Sequence, residues 1–213
     1  MRIPIRSGRK RMDKEIRKKI ILVCQSLMRM LELASEGFRR PSEESFKEAE
    51  ELEDKIHQYS SELTSFIISR SPSSEKEWVK PYLSIASTLD RMAYSIEGIL
   101  DRVRGKSENH ILFSDQAVKE LSDLFQEAMR LLENLPNLIT TQDRLLARQI
   151  GEGGRSMLKI ADSYAEVHEE RLIDGICVPK HSPIYLGIVE SLKGMIVHTL
   201  AVSGKIVSIS SKP

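Results

Sequence analysis

Residues 81–100 read PYLSIASTLDRMAYSIEGIL, and residues 184–195, at an offset of 103 positions, read IYLGIVESLKGM. In the first run Tyr82, Ile85, Leu89, Met92, Ile96 and Ile99 recur at steps of three and four, the spacing that gathers side chains on one face of an α-helix. In the second, Tyr185, Leu186, Ile188, Leu192 and Met195 repeat Tyr82, Leu83, Ile85, Leu89 and Met92. A helix that returns at an equivalent place predicts an internally duplicated chain.

Outward from this pair, the same periodicity appears in every other segment. Ile16, Ile20, Val23, Leu27, Met30 and Ala34 form a first stripe, and Ala49, Leu52, Ile56, Tyr59, Leu63 and Phe66 a second. Val103 extends the third stripe, and Ala117, Leu121, Leu124, Ala128, Leu131 and Leu135 make a fourth. A fifth segment runs from about Leu138 to Leu172, and a sixth carries Tyr185, Ile188, Leu192, Met195, Thr199, Val202 and Ile206. Period-two alternation persists nowhere, so the expected fold class is all-α: two tandem three-helix bundles, six antiparallel up-down helices.

The breaks agree with that count. Arg40-Pro41-Ser42 ends one helix and supplies Ser42 as the N-cap of the next, while Ser73 or Ser74 in SRSPSSE can cap the third. GKSENH at 105–110 is the longest polar linker and marks the midpoint. The expected organisation is a basic N-terminal arm at 1–12, a first repeat at 13–104, a linker at 105–113 and a second repeat at 114–213. GEGG at 151–154 lacks the Lys-Ser/Thr of a phosphate loop and reads as a helix bend.

Composition narrows the function. Of 213 residues, 40% are hydrophobic and 30% charged, which suits a globular core without staples. A net charge of +1 gives no basic face for nucleic acid, which is therefore not an expected partner. Cys24 and Cys177 form no disulfide framework or CxxC pair, which fits a reducing cytoplasm. The apolar runs IILVC at 20–24 and MIVHTLAV at 195–202 fall well short of the about 20 residues a membrane span needs. The first nineteen residues carry nine Lys or Arg, a basic arm that could touch anionic lipid.

LDRMAYSIEGI at 89–99 resembles the third-helix motif of PhoU-type proteins, phosphate-uptake regulators built from two three-helix repeats, with Asp90 and Arg91 in the acidic and basic places. LEDKIH at 52–57 is similar to their acidic second-helix motif, with Glu53 in place and His57 where an aspartate is expected. VHEERLIDGICVPKHSPIYLGIVESL at 167–192 resembles the PhoU-like domain that follows the membrane part of sodium/phosphate cotransporters. The sequence departs from the family where Tyr94 replaces the metal-binding aspartate and Lys193 and Val197 stand at the second-repeat positions of Asp90 and Tyr94.

The best candidate metal ligands are Glu53, His57 and Asp90, with Glu50 and Glu97 as additional ones. Glu50, Glu53 and His57 fall on one helical face at i, i+3 and i+7, and an oxygen set with one imidazole suits iron, zinc or nickel. The same residues also read as a solvated acidic flank balanced by Lys47, Lys55 and Arg91. Asp162 and Glu166 lie one turn apart, with Lys193 expected beside them as a salt-bridge partner. No Gly-x-Ser-x-Gly turn or recognisable cysteine nucleophile accompanies the five histidines, so no catalytic residue is assigned. Arg171 to His181 reads as an exposed functional loop or as a plain connector.

The resemblance implies a non-enzymatic, cytoplasmic regulator of phosphate uptake and phosphate signalling. Its partners would be a phosphate transporter, met at the cytoplasmic face, or a phosphate-responsive sensor kinase. The alternative is a metal-binding helical bundle, an ion store or a metal-dependent hydrolase, working through Glu53, His57 and Asp90. A homodimer and a peripheral membrane contact through the basic arm complete the expected assemblies.

Overall fold

A computed structural model of the chain describes residues 5–70 and 76–210, with side chains from 13 to 70 and from 79 to 209. Six helices follow in order: α1 Ile5–Arg39, α2 Glu43–Arg70, α3 Lys76–Glu108, α4 Asp115–Thr141, α5 Arg144–Ile173 and α6 Ser182–Ser210. No strand occurs among the described residues. Every residue of the first, third, fourth and sixth stripes is buried. The second stripe is shifted: Tyr59 is exposed, and Ser60 and Ile67 take the buried places.

Helix ends follow local chemistry. The Ser42 hydroxyl accepts from the Ser45 amide at 3.4 Å, and Ser114 does the same for Ala117 at 3.3 Å, each filling an otherwise unpaired first-turn donor. Ser73 and Ser74 lie outside the described residues, as do residues 1–4 of the expected arm, and α1 already begins at Ile5. Gly105–Glu108 continue α3, because polar composition alone does not stop a helix; the chain turns at His110, whose φ is 50°. The break between α4 and α5 falls at Gln142 (φ 54°) and Asp143, not before Leu138. Leu138 and Ile139 are buried and extend the α4 stripe, so periodicity alone could not place that boundary.

Helices α1, α2 and α3 pack mutually, as do α4, α5 and α6, and the two trios join through α3 against α6 and α1 against α4. The α3–α6 seam is the most extensive interface in the molecule. Cβ atoms built at Gly98 and Gly194 would lie 3.1 Å from the Ser191 and Ser95 hydroxyls, and one at Gly187 would strike Arg102. Numbers that rise on α3 therefore fall on α6: the helices are antiparallel and approach over small residues. That register sets Ala93 opposite Ile196, buried repeat equivalents, and a local twofold passes between them.

The glycine run expected to bend the fifth helix lies inside unbroken α5. A Cβ at Gly154 would come within 2.6 Å of the Leu200 side chain, so its bareness serves close packing on α6. Helix α6 is long and apolar enough, by length and composition, to cross a membrane, which its short apolar runs did not reveal. Its stripe is instead buried against α3, α4 and α5, and truncating a core residue such as Leu192 to Ala would cost about 2–5 kcal/mol. A chain of rings ties the repeats together: Phe38 of α1 meets Phe125 at 5.8 Å and Phe113 at 6.2 Å, and Phe113 meets Tyr185 edge-on at 6.2 Å.

Candidate functional site

The acidic edge of the first repeat forms where α2 meets α3. His57 Nδ1 lies 2.7 Å from Asp90 Oδ1, and the Tyr94 ring packs on the imidazole with centroids 4.6 Å apart. Glu50 is drawn away from this pair, its Oε1 accepting from Arg104 at 2.5 Å. Burial, and then the charge of Glu97, push the Glu53 carboxyl above the ordinary carboxylate range, with His57 opposing. Thus Glu53, His57, Glu97 and Asp90 share one electrostatic neighbourhood, but only His57 and Asp90 touch.

Among the described residues, no three histidine, cysteine, aspartate or glutamate side chains converge as a metal-holding group. The ring of Tyr94 covers the imidazole. A two-residue contact does not supply the three protein ligands that a transition-metal centre ordinarily uses. In the second repeat, Lys193 Nζ binds Asp162 Oδ1 and Glu190 Oε1, both at 2.8 Å, so the expected ion pair is present.

The second repeat holds a denser constellation. Glu120 of α4 is 1% exposed, and the Arg171 guanidinium of α5 donates to both its oxygens at 2.8 Å. The Tyr185 hydroxyl of α6 donates to Glu120 Oε2 at 2.5 Å, and Gln116 adds a bond at 3.0 Å. Burial pushes the Glu120 carboxyl up, but bonds from Arg171, Tyr185 and Gln116 outweigh it and hold the group below its usual range. The same carboxylate, after burial itself, keeps the Tyr185 phenol far above its ordinary value. His168 stacks on Tyr185 with centroids 4.3 Å apart and shares a 2.8 Å contact between its Nε2 and Ser182 Oγ. Burial, and then Arg171, hold the His168 imidazole below the ordinary histidine range.

This buried core carries an exposed cap. After Asp174, Gly175 takes a φ of +70°, and the amides of Ile176 and Cys177 return to the Arg171 carbonyl at 2.9 and 3.1 Å. One residue thus works at both ends: the Arg171 side chain is pinned to α4, and its carbonyl pins the connector. Beyond it a 3-10 turn at Pro179–His181 leads into α6. The connector holds apolar side chains in solvent: Ile173 is 86% exposed, Ile176 64% and Val178 54%, and Leu112 from the α3–α4 connection is 84% exposed. Leu112, Phe113, His168, Ile176, Cys177 and Val178 line one groove there. The sequence flagged Arg171–His181 as a loop but missed Glu120, which sits beside a continuous apolar stripe. The one usable signal was the Tyr82–Tyr185 identity.

The chain matches no protein-family model, and no curated protein matches it by sequence. Two solved structures share the fold over nearly its full length. It is similar to PhoU from Pseudomonas aeruginosa at 11% identity and a TM-score of 0.82, covering 94% of this chain and 98% of that one. It is likewise similar to the phosphate transport system regulatory protein PhoU from Streptococcus pneumoniae, at 18% identity and a TM-score of 0.76, covering 93% and 95%. The fold is PhoU-like: six helices in two tandem three-helix bundles.

Proposed function

We propose that this chain is a non-enzymatic regulator of phosphate uptake and phosphate signalling that acts by protein contact at the cytoplasmic face of a phosphate transporter. The observation that carries the reading is the apolar cap of Leu112, Ile173, Ile176 and Val178, held in solvent on a buried Glu120–Arg171 ion pair. Exposed aliphatic side chains on a braced connector suit a protein contact, because docking removes them from water without first having to order the loop. The likeness to two PhoU proteins adds direction, and one of these is described as the regulatory protein of a phosphate transport system.

Regulation by contact needs only a difference in affinity. A protein that binds one conformational state of a transporter more tightly shifts the population toward that state and changes flux with no chemistry of its own. A phosphate-responsive sensor kinase would be read by the same cap. The chain would work in the cytoplasm, with its basic N-terminal residues holding it near anionic lipid. The metal-binding alternative gains no support from the first-repeat acidic edge, where no three donor side chains converge among the described residues.

Native co-purification from membranes tests the proposal. A phosphate transporter or sensor kinase is expected to travel with the wild-type chain and to be lost with Ile176→Asp. Equal recovery with both chains, or recovery of neither partner, would overturn the assignment of the cap.

A further inference from the structure

We infer that Arg91, His198 and Lys205 form a phosphoryl-anion site across the α3–α6 seam. The antiparallel register that sets Ala93 opposite Ile196 also sets Arg91 opposite His198. Lys205 follows His198 by two helical turns on the same face of α6, and its Nζ reaches across to donate to Thr88 Oγ1 on α3 at 3.3 Å. Arg91 is exposed, and His198 and Lys205 are half-buried, so the three groups edge a surface open to solvent.

Three cationic groups act on one another here with no carboxylate partner for any of them among the described residues. Several basic side chains of the molecule are paired with carboxylates: Arg29 with Glu48, Arg104 with Glu50, Arg171 with Glu120 and Lys193 with Asp162. No salt bridge reaches Arg91, His198 or Lys205 among the described residues. After burial, the charges acting on His198 are those of Arg91 and Lys205, and the charge acting on Lys205 is that of Arg91. All are positive, so each cation disfavours the next, and a bound anion relieves all three at once.

Three cationic donors along one edge of the seam, one a guanidinium fork, suit a tetrahedral dianion better than a single carboxylate. The ligand class is therefore a phosphoryl group, whether free inorganic phosphate or an anionic lipid headgroup. The site draws one donor from the first repeat and two from the second, so an occupant bridges the two bundles. It lies on the seam and shares no residue with the α5–α6 cap. The inference is built from charge and register and does not depend on the regulatory reading.

Titration of the full-length protein with inorganic phosphate, followed by the His198 imidazole resonances, tests the site, with vesicles of phosphatidylcholine containing phosphatidylglycerol as the second arm. Saturable phosphate binding is expected, with a raised His198 pKa, and weakened about tenfold or more in Arg91→Ala and in Lys205→Met, the loss of one charge-assisted bond. Vesicle binding lost in Arg91→Glu, with no response to inorganic phosphate, would place the same chemistry on a lipid headgroup. Arg91 is exposed, so its variants serve as the folded controls. The inference is overturned if neither probe binds, or if binding is unchanged in the Arg91 variants. Failure here with an altered uptake phenotype would leave the regulator standing and remove only this site.

Discussion

Tyr82 and Tyr185 stand 103 positions apart, and each donates its hydroxyl to a carboxylate on the first helix of its own repeat. Tyr82 uses Asp13, which Arg17 of the same helix holds at 2.8 Å; Tyr185 uses Glu120, which Arg171 holds from another helix. In the first repeat the carboxylate and its arginine both stand on α1, whereas in the second the carboxylate stands on α4 and the arginine on α5. The second arrangement ties α4, α5 and α6 together and braces the exposed cap.

The Glu120–Arg171 pair should therefore be costly to break from one side. Arg171→Met leaves a buried carboxylate with two donors fewer, and about 3–5 kcal/mol of unfolding free energy should be lost. Urea denaturation measures this. Glu120→Leu combined with Arg171→Met should recover part of the loss, because both charges leave the interior together. Tyr185→Phe should cost about 1–3 kcal/mol by removing one bond to the same carboxylate.

Acidification should destabilise the fold through its histidines. Burial, then Arg171, holds His168 low, and burial, then Arg91 and Lys205, holds His198 low. In the unfolded chain both take up protons near the ordinary value of about 6.5, before the folded chain does. Stability is thus fully present above that value and lost as the pH falls through it toward the depressed folded values. The urea midpoint should be lower at about pH 5.5 than at about pH 7.5, and His168→Gln should flatten the change. A midpoint that rises on acidification would contradict this.

Metal content should be low. Protein purified without chelators should carry less than about a tenth of an equivalent of iron, zinc or nickel, since two protein ligands hold such ions weakly. Tyr94→Asp should raise zinc retention by returning a carboxylate beside His57 and Asp90. Stoichiometric metal in the wild-type chain would contradict the reading of the acidic edge.

Substitutions at the cap should separate binding from folding. Ile176 and Val178 lie largely in solvent, so Ile176→Asp and Val178→Asp should change stability by no more than about 0.5 kcal/mol. Thermal melts that coincide with wild type, alongside lost partner capture, are the expected combination.

The core was largely legible because helical burial has a period, and the stripe Tyr82 to Val103 lies buried at every position read from the sequence. Boundaries were less so. Leu138 and Ile139 continue an apolar pattern, and only the left-handed Gln142 and the Asp143 cap end it. Of the residues read as an acidic edge His57 and Asp90 touch, and spacing could not show that Arg104 bonds Glu50 instead. The Glu120 cluster was invisible for another reason: a buried ion pair between residues 51 apart leaves no local pattern. The exposure of Ile176 and Val178 was equally unreadable, since an apolar residue in a connector is as easily buried as not.

Phosphate uptake by a strain lacking this protein, complemented with the wild-type chain or with Ile176→Asp/Val178→Asp, tests the regulatory reading most directly. Altered uptake in the deletion strain, restored by the wild-type chain and not by the equally stable cap variant, is the expected result. Unchanged uptake and phosphate-responsive expression on deletion, or full restoration by the cap variant, would contradict it.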